Sequence, residues 1–496
     1  MTLIPSSRPS WPSHTVHGFP PPVVARTPTP VVRSWDVTRW STPRRLQGFL
    51  VLIWVVTLAT CIATIATYNQ LSRAVKTIGQ DAVPSILAAQ TIRLDLATMN
   101  ASAAGDLLGG ANGVPAERTV YEARRQDVNT QIIAAAENIT YGDEERTPIR
   151  TLTEQFGVYQ QLVAQSQLLH QQDPTSSQAI TTFRQASSLL HGTLLPAADT
   201  VDAVNSKHLD DAYREYQHNV ARQEILVFSA GGALLLALVA TQIFLARKMR
   251  RLVNPALLGA TVILIILLLA IGRTFAAETY DLKVAKPDAF DSLGVLARMR
   301  AAAADARGNE VLSLLDRGGA TDYDNAYADN TKKIIDQPIT NELITATDRA
   351  VGDVTDTSQG VVSAMHGAVA FHGYLADELN NITFMGEKQA AMSILRSEGQ
   401  YQAVDSQLRA LAAGNQGAAA VALCLGPMAN QAGGAYENVD MAIAHTFAIN
   451  KQAFDTAITQ GFQDLGPRNL LAVVAAFFIA GLAWLGVQPR INEYAI

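Results

Sequence analysis

Four uncharged apolar runs punctuate the chain, at 48–68, 225–246, 256–272 and 470–487. The two central runs hold 22 and 17 residues, against the roughly 20 that a helix needs to cross a bilayer core of about 30 Å. Asn254-Pro255 ahead of the shorter run reads as an N-cap and a proline in the first helical turn. Arg273 at its far end can snorkel outward. Two such helices joined by about ten residues are antiparallel. The cations between them, Arg247, Lys248, Arg250 and Arg251, place the connection in the cytoplasm by the positive-inside bias. An even number of spans puts both chain ends on that same side. The stretches assigned inside then carry a net +9 and the two long outer segments a net −15, which returns the formal −6 of the whole chain. The first span is expected to be an uncleaved anchor, because its apolar stretch exceeds a signal peptide's and follows 45 residues of tail.

Between the spans the pattern is helical. In segment 69–224 a first helix leaves the membrane directly and runs to about residue 108, where Gly109-Gly110 stops it. A second covers about 115–141. A third starts near Pro148, with Leu152, Phe156, Tyr159 and Leu169 at helical period, and ends at Asp173-Pro174. The fourth starts near Ser177, is expected to kink at Pro196, and meets no further proline until Pro255. It therefore enters the second span unbroken. Segment 273–468 reads as a diverged copy: at an offset of 207 residues Asp81-Ala82-Val83-Pro84-Ser85 falls on Asp288-Ala289-Phe290-Asp291-Ser292, and the first and third spans overlap. The copy differs at its exit, where Gly466-Pro467 interrupts the helix before the fourth span.

The expected fold is an all-α membrane protein with four transmembrane helices and two extracytoplasmic up-down four-helix bundles in tandem, behind a disordered tail. The division is a basic cytoplasmic tail at 1–45, spans at 46–68, 225–246, 256–272 and 469–487, bundles at 69–224 and 273–468, a basic loop at 247–255 and a cytoplasmic C-terminal tail at 488–496. The N-terminal tail holds nine of the twenty prolines and cannot bury enough apolar surface to fold alone; Trp35 and Trp40 mark where it meets lipid. Small residues at helical spacing let membrane helices approach closely. The first span has Thr57, Thr60, Thr64 and Thr67, the second Ser229, Ala233, Ala237 and Thr241, and the fourth Ala472, Ala476 and Ala480. The third lacks such a stripe and is expected to face lipid. No span carries an ionisable residue in its core, which argues against a proton or ion pathway. The two cysteines, Cys61 and Cys424, lie in different segments and should not pair.

Little in the sequence points to catalysis. It has no metal-ligand spacing, no nucleophile elbow and no glycine-rich phosphate loop, so neither enzyme activity nor a cofactor is expected. Nucleic acid is not expected as a partner, and homodimerisation stays open. His366 and His372 stand six apart, on opposite flanks of a helix. The acids Asp143-Glu144-Glu145 read as a solvated helix end. The densest polar stretch runs from Tyr374 to Glu387 and contains Asp377, Glu378, Asn381, Phe384 and Glu387. It reads either as a helix C-cap at Asn380-Asn381 followed by a new N-terminus, or as a recognition loop. The stretches assigned to the cytoplasm are too small to fold a kinase or cyclase. A signal received outside must pass to a separate protein, and Arg247, Lys248, Arg250 and Arg251 are the candidate docking residues, although anchoring alone would also require them.

The order of membrane helix, helical bundle and membrane helix, with Asp81-Ala82-Val83-Pro84-Ser85 and Met99-Asn100 in the first bundle helix, resembles the ligand-binding module of methyl-accepting chemotaxis receptors. The doubled arrangement, with Ala376-Asp377-Glu378-Leu379-Asn380-Asn381-Ile382-Thr383-Phe384 and Gly386-Glu387, is similar to actinobacterial membrane proteins of the GlnX type over about 45–496. Met385 stands where that pattern often has proline. The resemblance implies amino-acid sensing, with a solute-binding lipoprotein (GlnH-like) as the outer partner and a soluble Ser/Thr kinase (PknG-like) as the inner one. A non-signalling envelope scaffold or transporter accessory subunit is the alternative.

Overall fold

The computed structural model describes residues 41–110, 113–249, 254–351, 369–466 and 468–493. The N-terminal tail with Trp35 and Trp40, and also Arg250, Arg251, His366 and Pro467, lie outside them. Among the described residues every regular element is helical. Four helices are long and apolar enough to cross a membrane: α1 (Thr42–Leu108), α4 (Ser177–Lys248), α5 (Pro255–Leu315), and the helical stretch Ala432–Asn492. That last stretch divides into α11 (Ala432–Leu465) and α12 (Arg468–Asn492). Between them lie α2 (Pro115–Glu137), α3 (Asp143–Gln172), α6 (Ala320–Ile334), α7 (Asn341–Ala350), α8 (Tyr374–Asn380), α9 (Glu387–Ala413) and α10 (Gly417–Leu425).

The four apolar segments share one core. Leu50 and Ile53 of α1, Leu238 of α4, Leu264 of α5 and Ile479 and Ala483 of α12 meet there. Thr57, Thr60, Thr64 and Thr67 are all buried along one face of α1, and Thr60, Thr64 and Thr67 return their hydroxyls to carbonyls four residues back. The α4 stripe is buried only at Ala237 and Thr241; Ser229 and Ala233 are exposed. In the third span Ile265, Ile266 and Leu269 face outward, while Leu264 joins the core. Asn254 caps α5 as its sequence implies, accepting from the N–H groups of Ala256 and Leu257. Its amide also donates to the Gly486 carbonyl, 2.8 Å away, which ties the loop between α4 and α5 to α12.

Beyond the apolar segments the chain forms two helical lobes. In the first, the distal part of α1 packs on α2 and α4, and α3 packs on α4. In the second, the distal part of α5 packs on α6, α8 and α11, and α9 packs on α11. The lobes meet along the two helices that begin them, the distal parts of α1 and α5. Small side chains permit that approach: Ala97 of α1 and Ala304 of α5 are buried in one cluster. A Cβ placed on Gly308 would stand 3.7 Å from the Cβ of Ala101.

Two expected boundaries shift. Helix α3 starts at Asp143, five residues before Pro148, because three acids in its first turn complement the helix dipole and the proline is tolerated early in the helix. At Pro196 the disturbance takes the form of a π turn, Leu190–Leu194, immediately before it, and α4 continues as one helix into the second span. Two further π turns occur, Thr77–Ala82 ahead of Pro84 and Val284–Phe290 around Pro287. Proline withdraws one ladder donor and crowds the preceding turn, so a widened turn absorbs it without breaking the helix. At the fourth span the helix does break: α11 ends at Leu465, Gly466 leaves helical geometry, and α12 begins at Arg468.

The α1–α5 seam carries a prediction. Gly308→Ala should be neutral to stabilising by about 1 kcal/mol, since the new methyl meets only ordinary contact distances and alanine is the better helix former. Gly308→Leu should cost about 1–3 kcal/mol by overpacking, read as a lowered thermal unfolding midpoint, and should widen an inter-lobe spin-label distance.

Candidate functional site: two matched joints

The sequence repeat becomes a repeat of chemistry at the π turns. Thr77–Ala82 and Val284–Phe290 start 207 residues apart. Each is spanned by a lysine–aspartate pair, Lys76–Asp81 at 3.8 Å and Lys283–Asp288 at 3.7 Å. In each lobe an asparagine amide reaches into the turn from a neighbouring helix end. Asn138, just after α2, donates to the Asp81 carbonyl at 3.2 Å and to the Ser85 hydroxyl at 2.8 Å. Asn381, just after α8, donates to the carbonyls of Pro287 and Asp288, both at 3.1 Å, and to the Ser292 hydroxyl at 2.9 Å. A π turn shifts carbonyls out of the regular ladder, and these amides supply the donors that such carbonyls need.

A short loop follows each asparagine and is pinned by a glutamate. Glu145 accepts from the backbone N–H groups of Thr140 and Tyr141 at 2.7 and 2.6 Å. Glu387 accepts from those of Thr383 and Phe384 at 2.6 and 2.9 Å. The sequences Asn138-Ile139-Thr140-Tyr141 and Asn381-Ile382-Thr383-Phe384 are thus the same device. Sequence reasoning singled out only the second copy; the matching Asn-Ile-Thr-aromatic tetrapeptide was the signal that would have found Asn138 and Glu145. In the first lobe Tyr141 stacks on His208 of α4, with ring centroids 3.7 Å apart. In the second, Phe384 packs into the apolar cluster that includes Phe290 and Phe454.

The second joint adds a buried acid pair. Glu378 and Glu387 are both fully buried. Asn450 of α11 donates to the other oxygen of Glu387 at 2.6 Å. Burial raises the pKa of Glu387, against the pull of the Phe384 and Thr383 N–H groups and Asn450. Glu378 is raised well above the usual carboxylate range by burial first and by neighbouring Glu387 second, with the Ser292 hydroxyl opposing. Burial thus works against the charge at both, and only Glu387 has two backbone N–H groups and an amide to offset it. The aligned position in the first lobe is Ala135, so this pair belongs to the second lobe alone.

Four of the five proposed recognition residues, all but Asp377, are accordingly turned inward. Glu378 and Glu387 are buried, Asn381 is committed to the π turn and Phe384 to the core, because each satisfies a group of the joint. Asp377, Asn380, Met385 and Gly386 are the parts of this stretch that face solvent. The helix ends at Asn380 with Asn381 as its cap, and α9 starts at Glu387. Of the basic docking candidates, Arg247 and Lys248 are exposed on the last turn of α4; Arg250 and Arg251 fall outside the described residues. His372 is exposed, with its Nδ1 3.0 Å from Asp336. Among the described residues no group of three metal-ligating side chains comes together, and Cys61 and Cys424 are both free.

A family model described as the actinobacterial sensor domain matches residues 74–214. The match covers the first joint whole, from Lys76 through Asn138 and Glu145 to His208. No curated protein and no solved structure matches the chain.

The acid pair sets a pH dependence. The folded-state pKa of Glu378 exceeds its unfolded value, so its contribution to stability is full below the ordinary carboxylate range and is lost as pH rises through the raised value. Glu378→Gln should flatten the fall in thermal midpoint from pH 5 upward and should be the more stable form at pH 8. Asn381→Ala leaves the Pro287 and Asp288 carbonyls without a donor and should cost about 1–3 kcal/mol, with Asn138→Ala close behind; denaturant titration checks both.

Proposed function

We propose that this protein is a membrane receptor that relays extracellular amino-acid availability to a soluble cytoplasmic Ser/Thr kinase. The amino acid reaches it on a solute-binding lipoprotein that docks on the lobes outside the cell. A sensing role is supported by the sensor-domain match over 74–214, and membrane residence by four helices of sufficient length and apolarity. The observation that carries the relay is continuity. Helices α1 and α4 each run from a lobe through an apolar span without a break, over 67 and 72 residues, about 100 Å at 1.5 Å per residue. A displacement at the joint of the first lobe moves a rigid rod whose other end carries Arg247 and Lys248. Such a switch needs a difference of only a few kcal/mol between two states.

In this reading the spans are antiparallel and both chain ends are cytoplasmic, with the lobes outside. The basic end of α4 is the docking surface for the kinase. Glutamine at Arg247, Lys248, Arg250 and Arg251 together should abolish kinase recruitment while membrane insertion stays normal, and unchanged recruitment would remove these residues from the site. Crosslinking the tagged protein in its native membrane, with and without added glutamate or aspartate, tests the whole relay. Recovery of a solute-binding lipoprotein outside and a Ser/Thr kinase inside is the expected result. Permease or cell-wall proteins alone, indifferent to the amino acid, would make it a scaffold.

A further inference from the structure

Each joint touches the other half of the chain as well as its own lobe. At the 207-residue offset that relates the π turns, Gly79 of the first falls on Lys286 of the second. Each is the third residue of its turn, and each meets the helix that leads the opposite lobe into its second span. A Cβ placed on Gly79 would stand 2.5 Å from the Cγ2 atom of Ile458, so the first turn lies directly against α11. Lys286 extends its ammonium group to Asp210 of α4, 2.9 Å away, and to Asp291 of α5 at 2.5 Å.

Asp210 is half-exposed, but Lys286 is buried, with its nitrogen 5.5 Å from the centre of the Phe290 ring. Burial opposes the lysine's charge, yet the hydrogen bonds and charges of Asp291 and Asp210 outweigh it and hold the pKa above the ordinary lysine value. A buried ammonium that loses a carboxylate is left under-compensated, which sets this contact apart from a wholly exposed pair.

Helix α4 is thus gripped twice within three residues. Tyr141 of the first joint stacks on His208, and Lys286 of the second holds Asp210. Residues two apart project about 200° apart around a helix, so the joints hold opposite sides of α4. Further toward the span, the Tyr216 hydroxyl lies 3.1 Å from that of Thr279 on α5. Helix α11 is also met by both joints, at Phe454 by Phe290 and at Ile458 by Gly79. It ends before the last span, however, whereas α4 runs on through its own.

We propose that α4 is the common output of both lobes, and that the Lys286–Asp210 contact is the link through which the second joint moves it. Coupling between sites is carried by contiguous contacts. Here they run from Asn381 through the Pro287 and Asp288 carbonyls to Lys286 and Asp210. The second lobe, whose own exit is interrupted, borrows the exit of the first. What α4 then signals rests on the proposed relay, but the coupling itself does not.

The test is hydrogen–deuterium exchange of the full-length protein in lipid nanodiscs, which reads local opening segment by segment. Asn381→Ala loosens the second joint, and the hydrogen bonds it removes go to Pro287, Asp288 and Ser292. Exchange should rise in the peptide covering 284–292 and, about threefold, in the α4 peptide covering 203–216. Both are measured against an α3 peptide covering 152–166, which reports any global loss of stability. With Asp210→Asn or Lys286→Met already in place, adding Asn381→Ala should leave the α4 peptide within about 1.5-fold. These two variants lie on separate lobes, so the test stands if one fails to fold, and Asn381→Ser is the milder form of the joint change. An α4 peptide that stays protected while 284–292 opens would overturn the proposal. So would a rise in α4 that both link variants leave undiminished. None of these readings involves the kinase, whose recruitment the crosslinking experiment reports separately.

Discussion

Carbonyl groups that a π turn shifts out of the regular helical ladder must find another donor, and two asparagine amides meet that demand. A helix that crosses a bilayer cannot leave backbone groups unsatisfied there, so the long rods stay regular through their apolar spans. Irregularity is confined to the π turns beyond, where Asn138 and Asn381 reach in from the ends of α2 and α8. The same short loops that deliver the amides are pinned by Glu145 and Glu387. Each rod is thereby clamped to its lobe at the level where it leaves the shared apolar core. Movement in a lobe has a defined place to enter the rod.

The two halves use this plan differently. The first lobe passes through α4 into its span as one helix, and Tyr141 stacks on that helix through His208. The second lobe carries the buried acid pair and the Asn450 contact to α11, yet α11 stops at Leu465 before the last span. One half is stiff along its exit helix. The other has a buried carboxyl pair beside an interrupted exit.

Much of the architecture was legible from periodicity. The apolar runs, the cap at Asn254, the helix ends at Leu108, Asp173 and Ser177, and the break at Gly466 follow from residue types whose backbone preferences are strong. The first joint was not read, although its tetrapeptide stood in plain view. The cause is spacing: Asn138 and Asn381 are 243 residues apart, whereas the π turns they serve are 207 apart. The second lobe inserts residues between α6 and α9, so comparison at one fixed offset aligns the rods and misses the loops. The inward turn of Glu378 and Glu387 was hidden for another reason. A carboxylate in a polar run reads as solvated until the partners that allow its burial, here Asn450 and two backbone N–H groups, are brought from elsewhere in the chain.

The alanine and glycine seam between α1 and α5 has a further consequence through tethering. Two lobes carried by one chain and rooted in one membrane core meet at a high effective concentration, so their contact need not be strong enough to assemble free subunits. Side chains as small as Ala97, Ala304 and Gly308 contribute little area each, and they interlock less than branched residues would. The same approach brings Arg184 of the first lobe onto Asp316 of the second through two hydrogen bonds, and Arg93 to 3.5 Å from Asp305. Within one chain a few such latches suffice to hold a register that free subunits would need a larger interface to keep.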